Sequence, residues 1–186
     1  MNEATLASDE ELIAAVRRGD DPGALDELVQ RHLPAVRRLV FPMILDDSAA
    51  DDVTQEVFLR AIRGLSGFDG RSKFSTWLFR ISKNTALTWL ERQTRARATR
   101  QSDAADLVAV ATAPDRGLLA AEMSADVEAA LGELSPALRA AVVLTALEGL
   151  SPAEAAEIEE CSTSTMYWRI HEARKQLRGR LQEHLS

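Results

Sequence analysis

The 186-residue sequence predicts an all-α protein built as two small helical domains joined by an acidic flexible linker. Three observations predict it. Apolar residues recur at i, i+3, i+4 spacing, and no strand-like alternation stands out. Ala and Leu are abundant while aromatics make up only 5% of the chain, a composition that favours helix. Between two helical stretches, residues 96–122 change to Ala, Thr, Asp and Gln and are interrupted by Pro114.

The elements follow in order. A short helix is expected over 9–19, with Leu12, Ile13 and Val16 on one face, broken by Gly19-Asp20-Asp21-Pro22. A second carries Leu25, Leu28, Val29, His32, Leu33, Val36 and Val40 on its apolar stripe, and His32 reads as a core or boundary histidine. A third follows Ser48 and buries Val53, Val57, Phe58, Ala61, Ile62 and Leu65, with Gly64, Gly67 and Gly70 in the loop after it. A fourth begins near Ser72 and runs to about Arg95, with Phe74, Trp77, Leu78 and Ile81 inward. The first domain therefore spans 1–95, the linker 96–122 and the second domain 123–186. Within the linker, Leu107-Val108-Ala109-Val110 could dock on a partner. Further helices are expected at about 119–132, 136–148, 152–159 and 163–182.

The last two of these form a helix-turn-helix. Ser151-Pro152-Ala153-Glu154 has capping-box form, Gly149 can end the preceding helix, Glu159-Glu160-Cys161 makes the tight turn, and Ser162 can cap the final helix. That helix places Met166, Ile170, Ala173, Leu177 and Leu181 on one face. Ser164, Trp168, His171 and Lys175 lie opposite, flanked by Tyr167, Arg174 and Arg178. Core formation gives no reason for a tryptophan there. In such a motif the second helix enters the major groove. Ser164, Trp168 and His171 are placed to touch base edges, and Arg174, Lys175 and Arg178 to hold phosphates.

The net charge of −7 argues against nucleic acid until it is resolved along the chain. Residues 1–59 carry −8, 60–100 carry +8, 101–160 carry −10 and 161–186 carry +3. Two basic islands sit in an acidic chain, and a polyanion responds to local potential. In the fourth helix Arg80, Lys83 and Asn84 face away from the apolar side, and Arg92, Arg95, Arg97 and Arg100 continue the charge. The loop Phe68-Asp69-Gly70-Arg71-Ser72-Lys73-Phe74 places polar groups between aromatics, an arrangement that can hold an unstacked base. In the third helix Asp52, Gln55, Glu56, Leu59 and Arg63 form a stripe opposite the core, and a leucine among acids and an amide suggests a protein-binding surface.

Other classes are disfavoured. Asp51, Asp52 and Glu56 make a weak metal set without histidine or a further carboxylate motif. No nucleophile, base and oxyanion set is evident, so no enzyme, cofactor or metal site is expected. Cys161 is the only cysteine, which excludes an intrachain disulfide and fits a reducing cytoplasm. Glu3, Asp9, Glu10 and Glu11 without a long apolar run leave no visible signal peptide, and no stretch is long enough to cross a bilayer.

The chain resembles extracytoplasmic-function sigma factors, the group 4 members of the sigma-70 family, over nearly its whole length. The matching stretches are Asp51-Asp52-Val53-Thr54-Gln55-Glu56-Val57-Phe58, then Phe74-Ser75-Thr76-Trp77-Leu78-Phe79-Arg80-Ile81-Ser82-Lys83-Asn84, and Glu148-Gly149-Leu150-Ser151-Pro152-Ala153-Glu154-Ala155-Ala156. The resemblance implies a non-enzymatic, cytoplasmic subunit that binds core RNA polymerase, directs it to promoters and assists strand opening. It implies that Asp51, Asp52, Gln55, Glu56, Leu59 and Arg63 grip the β′ clamp helices, with the β subunit as a further contact. It places Phe68, Arg71, Lys73, Phe74, Trp77, Arg80, Lys83 and Asn84 at the minus-10 element, where a non-template base is flipped. Ser164, Thr165, Tyr167, Trp168, His171, Arg174, Lys175 and Arg178 fall at the minus-35 element. The linker would thread toward the active-site and RNA-exit channels, and an anti-sigma factor is an expected partner.

The sequence departs from the family pattern where glycines usual in the family are replaced by Glu160 and Ser164, at Tyr167 and Trp168, and at Glu172 in place of a frequent arginine. The alternative reading is a stand-alone helix-turn-helix regulator. It would need neither the 51–63 stripe nor the 66–74 loop.

Overall fold

The computed structural model describes residues 7–103 and 125–184, with 100–103 and 181–184 described at the backbone only. Among the described residues there are eight α-helices and no strand: α1 Asp9–Arg18, α2 Ala24–Ile44, α3 Asp47–Gly64, α4 Phe74–Asp103, α5 Ala125–Glu133, α6 Pro136–Val142, α7 Pro152–Ile158 and α8 Thr163–His184. A 3₁₀ turn over Leu65–Gly67 follows α3, and a wider π-type turn over Val143–Leu147 follows α6.

Local chemistry sets most boundaries. Ser8 and Glu11 form a capping box on α1: Glu11 N–H donates to Ser8 Oγ at 3.2 Å and Ser8 N–H to Glu11 Oε2 at 2.7 Å. Gly19 ends the helix at φ 69°. Asp46 caps α3, accepting from Ala49 N–H at 2.9 Å.

Helix α2 runs past Val40, where the apolar stripe was expected to stop, and crosses Pro34 and Pro42 to end at Ile44. Phe41, Pro42, Met43 and Ile44 are all buried, so tertiary packing outweighs proline's missing N–H. Helix α4 likewise continues to Asp103 rather than stopping near Arg95. The residues 96–103 are mostly good helix formers, so a change in composition there does not break the helix. The remaining linker, including Leu107-Val108-Ala109-Val110, lies outside the described residues.

Two expected core positions are corrected. Leu33 and Ile62 stand at the edges of their stripes and are 42% and 41% exposed. His32 is buried as expected: its Nε2 lies 2.7 Å from Asp9 Oδ2, and its ring packs edge-on against Phe74 at 5.1 Å.

The main core is continuous across both sequence domains. Val36, Val40, Met43, Val57 and Leu78 from α2 to α4 share it with Ala140, Leu144, Ile158 and Met166 from α6 onward. A second, smaller core unites Leu131, Leu134, Leu138, Val142 and Ala173, with Leu177 packed against it. The two helical groups are thus seated on one another, with α7 against α4 and α6 against the end of α2.

Candidate nucleic-acid interface

The helix-turn-helix forms as its sequence signals require. Gly149 takes φ 69° and Leu150 N–H returns to Leu144 O at 3.1 Å. Ser151 Oγ accepts from Glu154 N–H at 3.2 Å while Glu154 Oε2 accepts from Ser151 N–H at 3.0 Å. The Ser151 hydroxyl and N–H, followed by Lys73, hold the Glu154 carboxyl below its usual range. In the turn Glu160 adopts φ 51°, a left-handed conformation in which a non-glycine residue is strained. Cys161 N–H closes the turn on Ala156 O at 3.0 Å, and Ser162 Oγ caps α8 through Thr165 N–H at 3.1 Å. Glu159 in the turn and Arg169 on α8 are joined at 2.6 Å, tying the turn to the second helix.

Met166, Ile170 and Ala173 face inward, so the opposite face of α8 is outward. Tyr167 and Trp168 are each 61% exposed, and Ser164, His171, Arg174, Lys175 and Arg178 are exposed around them. Thr165 is half-buried and its hydroxyl lies 2.8 Å from Ser162 Oγ, so it serves the cap.

The second group centres on α4. Phe68, Phe74 and Trp77 form an aromatic cluster with centroids 5.3 to 5.7 Å apart. Phe68 and Phe74 are buried, and Trp77 is half-buried over Gly64. Beside them lies a cavity of about 380 Å³ walled by Phe68, Asp69, Arg71, Trp77, Arg80 and Glu157 among others. Its loop is ordered locally. Gly70 supplies φ 73°, and the Arg71 N–H and guanidinium lower the Asp69 pKa. From α1, Arg17 donates to the carbonyls of Leu65, at 2.7 Å, and Phe68, clasping the turn that carries the Phe68 wall.

The basic residues of α4 are less free than the sequence suggests. Asn84 is exposed, but Arg80 is half-buried and donates to Glu157 O at 3.0 Å. Lys83, expected on an outward face, is buried with Nζ 3.9 Å from Glu159 Oε1. The face is outward from the first domain, and α7 of the second domain covers it. Lys73 lies 3.5 Å from Glu154. Arg71, Arg92, Arg95 and Arg97 are exposed. The side chain of Arg100 lies outside the described residues.

On α3 the stripe is open. Asp52, Gln55, Leu59 and Arg63 are exposed, Leu59 by 48%, and Ile62 extends its apolar part. Asp51 pairs with Arg37 at 2.7 Å, and Glu56 with Arg60 at 2.7 Å. The hydrogen bond from Arg60 holds the Glu56 carboxyl below its usual range. No group of three potential metal ligands occurs among the described residues, and none of the described helices is long and apolar enough to cross a membrane.

Sequence reasoning missed the residues that join the two halves. Arg38 donates twice to Glu148, at 3.0 and 3.1 Å, and Arg139 reaches Met43 O at 2.7 Å. A lone arginine inside the apolar run 136–147 was the available signal for Arg139, since a charge there needs a buried partner.

Comparison with known proteins joins these features. Residues 28–96 match the family model Sigma-70 region 2, and residues 124–177 match Sigma-70, region 4. RNA polymerase sigma-H factor of Pseudomonas aeruginosa is 33% identical over 96% of each chain. ECF RNA polymerase sigma-E factor of Escherichia coli K12 is 33% identical, covering 94% of this chain and 95% of that one. Among solved structures, CnrH in complex with the cytosolic domain of CnrY has TM-score 0.67 and 28% identity, over 95% of this chain and 99% of that one. The sigma factor RpoE of Bartonella quintana, in complex with the anti-sigma factor NepR, has TM-score 0.67 and 26% identity, over 86% and 98%. With both family models matched in order along one chain, and relatives at 33% identity over nearly its whole length, the protein belongs to the extracytoplasmic-function group of the sigma-70 family.

Proposed function

We propose that the chain is a promoter-specificity subunit of RNA polymerase that binds the core enzyme, directs it to particular promoters and assists strand opening. It is an initiation factor without catalytic chemistry of its own, and it acts in the cytoplasm where the polymerase is. One observation supports the reading: a single chain presents an outward-facing tryptophan on the second helix of a helix-turn-helix, a separate cleft walled by aromatic and charged side chains, and an open stripe of mixed polarity on α3.

Each surface takes a role by its chemistry. On α3, Asp51, Asp52, Gln55, Glu56, Leu59 and Arg63 offer charge around an exposed leucine, which suits the β′ clamp helices, with the β subunit as a further contact. The cavity beside Phe68 and Trp77 suits a flipped non-template base of the minus-10 element, with Phe74 supporting the wall. Arg71, Lys73, Arg80, Lys83 and Asn84 would follow the strand's phosphates and edges. On α8, Ser164, Tyr167, Trp168 and His171 read the minus-35 duplex, while Arg174, Lys175 and Arg178 hold its backbone and Thr165 keeps the helix start in register. By likeness to CnrH and RpoE, each solved with a protein partner, an anti-sigma factor is proposed for this chain too.

The test is transcription in vitro with purified core polymerase on genomic templates, with start sites mapped. Initiation at a defined promoter set that depends on this chain is expected. Absence of association with core and of directed initiation would overturn the reading. A stand-alone regulator would bind duplex DNA and leave initiation by core unaffected.

A further inference from the structure

In a helix-turn-helix the first turns of the second helix meet base edges. On α8 those turns run from Thr163 to His171. Within them Met166 and Ile170 are buried, and Thr165 serves the cap. The arginine of this window, Arg169, is half-buried and donates to Glu159 Oε2 at 2.6 Å. Glu172, just past the window, accepts from Gln176 at 2.8 Å. Arg174, Lys175 and Arg178 follow about 9–15 Å beyond Trp168 along the helix axis, past the base-reading turns. The side chains facing out from the window are those of Thr163, Ser164, Tyr167, Trp168 and His171, and the two aromatic rings are each 61% exposed.

The chemistry of base edges narrows what this set can read. Guanine is read by paired donors of Arg or Lys on O6 and N7, and adenine by the amide of Asn or Gln on N6 and N7. None of the five outward side chains is a guanidinium, an ammonium or a carboxamide. Hydroxyls bond to either kind of edge, and an indole or imidazole N–H offers a single donor in place of a fork. What the window has in excess is apolar ring surface, and the apolar group on the major-groove floor is the thymine C5-methyl. We propose that the minus-35 duplex is recognised chiefly through thymine methyl groups packed against Trp168, with Tyr167 alongside, so that T·A pairs rather than guanines define the element. The inference rests on the reading of α8 as the minus-35 reader. The tie between Arg169 and Glu159 is what removes the guanine contact, because it turns the window's guanidinium back into the protein. Packing on methyl groups also takes two adjacent exposed rings out of water, which a free surface does not do.

The test uses holoenzyme assembled from the full chain and core polymerase, with promoter duplexes randomised across the minus-35 element. Sequencing of the bound duplexes is expected to show enriched T·A pairs. Each enriched thymine is then replaced by deoxyuridine, which deletes the methyl group alone. The parent holoenzyme should bind the uracil duplex about fourfold more weakly, the effect of one buried methyl. With W168A the thymine and uracil duplexes should bind alike, and W168F, which keeps an apolar ring, should restore part of the difference. An element defined by guanine, an element without a uracil-sensitive thymine, or an equal uracil effect in W168A overturns the methyl proposal. Each of these leaves α8 as the minus-35 reader so long as W168A changes the selected sequence. Absence of any minus-35 preference in the parent sinks both.

Discussion

Arg139 of α6 donates to the backbone carbonyl of Met43 in the last turn of α2, at 2.7 Å, so the second domain caps a helix of the first. The same guanidinium reaches Gly132 O at 2.8 Å and Leu134 O at 3.3 Å. Helix C-termini leave carbonyls without partners and carry partial negative charge, and both favour a cation. Burial pulls the Arg139 pKa down, although an arginine stays charged at any ordinary pH. Replacing Arg139 by Met should strand those carbonyls and cost about 2–3 kcal/mol. Lysine should rescue little, because a single ammonium does not reproduce the planar fork. Urea unfolding of the full chain checks both, and an unchanged midpoint for R139M would remove Arg139 from the interface account.

Glu160 offers a test of backbone strain. A non-glycine residue at φ 51° pays for its Cβ, a cost that glycine does not bear. Glu160→Gly should stabilise the chain by about 1 kcal/mol, less the extra freedom glycine gains when unfolded. The lost contact with Arg80 is exposed and weak, so it offsets little. Thermal unfolding decides: a lower midpoint would mean that the turn is not strained by its side chain.

The elements legible in the sequence were those whose cause is local. The capping box of Ser151 and Glu154, the left-handed Gly149 and the Ser162 cap are each written within four residues, and all form. Trp168 was legible because it contradicted its own helix's apolar face. What stayed hidden depends on distant contacts. The end of α2 past Pro42 is held by Arg139, about a hundred residues away in sequence, as is Arg38 by Glu148. Lys83 read as outward on its own helix, and only the seat of α7 makes it buried. Ile62 and Leu33 sit at stripe edges, where period alone does not decide between core and surface.

Trp168 should matter to DNA and not to folding. At 61% exposure its removal takes little from the core, so Trp168→Ala should leave stability within about 0.5 kcal/mol. Promoter binding at the minus-35 element should weaken by roughly 1–3 kcal/mol with altered sequence preference. Footprinting and competition on wild-type and minus-35-substituted promoters measure this. Unchanged affinity and preference would exclude direct readout by Trp168.

The α3 stripe should separate core binding from stability in the same way. Asp52 is exposed and Glu56 pairs with Arg60 one turn away, a solvent-screened contact of little weight for folding. Reversing both to Lys should leave the helical signal and melting nearly intact while reducing holoenzyme formation with core polymerase. Gel filtration of the mixture reads the outcome, and a normal yield of complex would move the polymerase-binding surface elsewhere.

Acid should unfasten the start of α7 before it disturbs the core. The Ser151 hydroxyl and N–H, with Lys73, hold the Glu154 carboxyl below its usual range in the folded chain. A carboxyl depressed on folding contributes stability above its unfolded pKa, and that contribution is lost as pH falls through the lower, folded value. The box therefore remains intact at neutral pH and opens only below the ordinary carboxylate range. Ser151→Ala removes the largest cause, so the Glu154 pKa should rise toward its usual value and the opening should shift to higher pH. Titration followed by carboxyl NMR on wild-type and S151A chains measures the shift directly. Coincident Glu154 curves in the two proteins would show that the serine does not hold the carboxylate, and that α7 is started by Pro152 and packing alone.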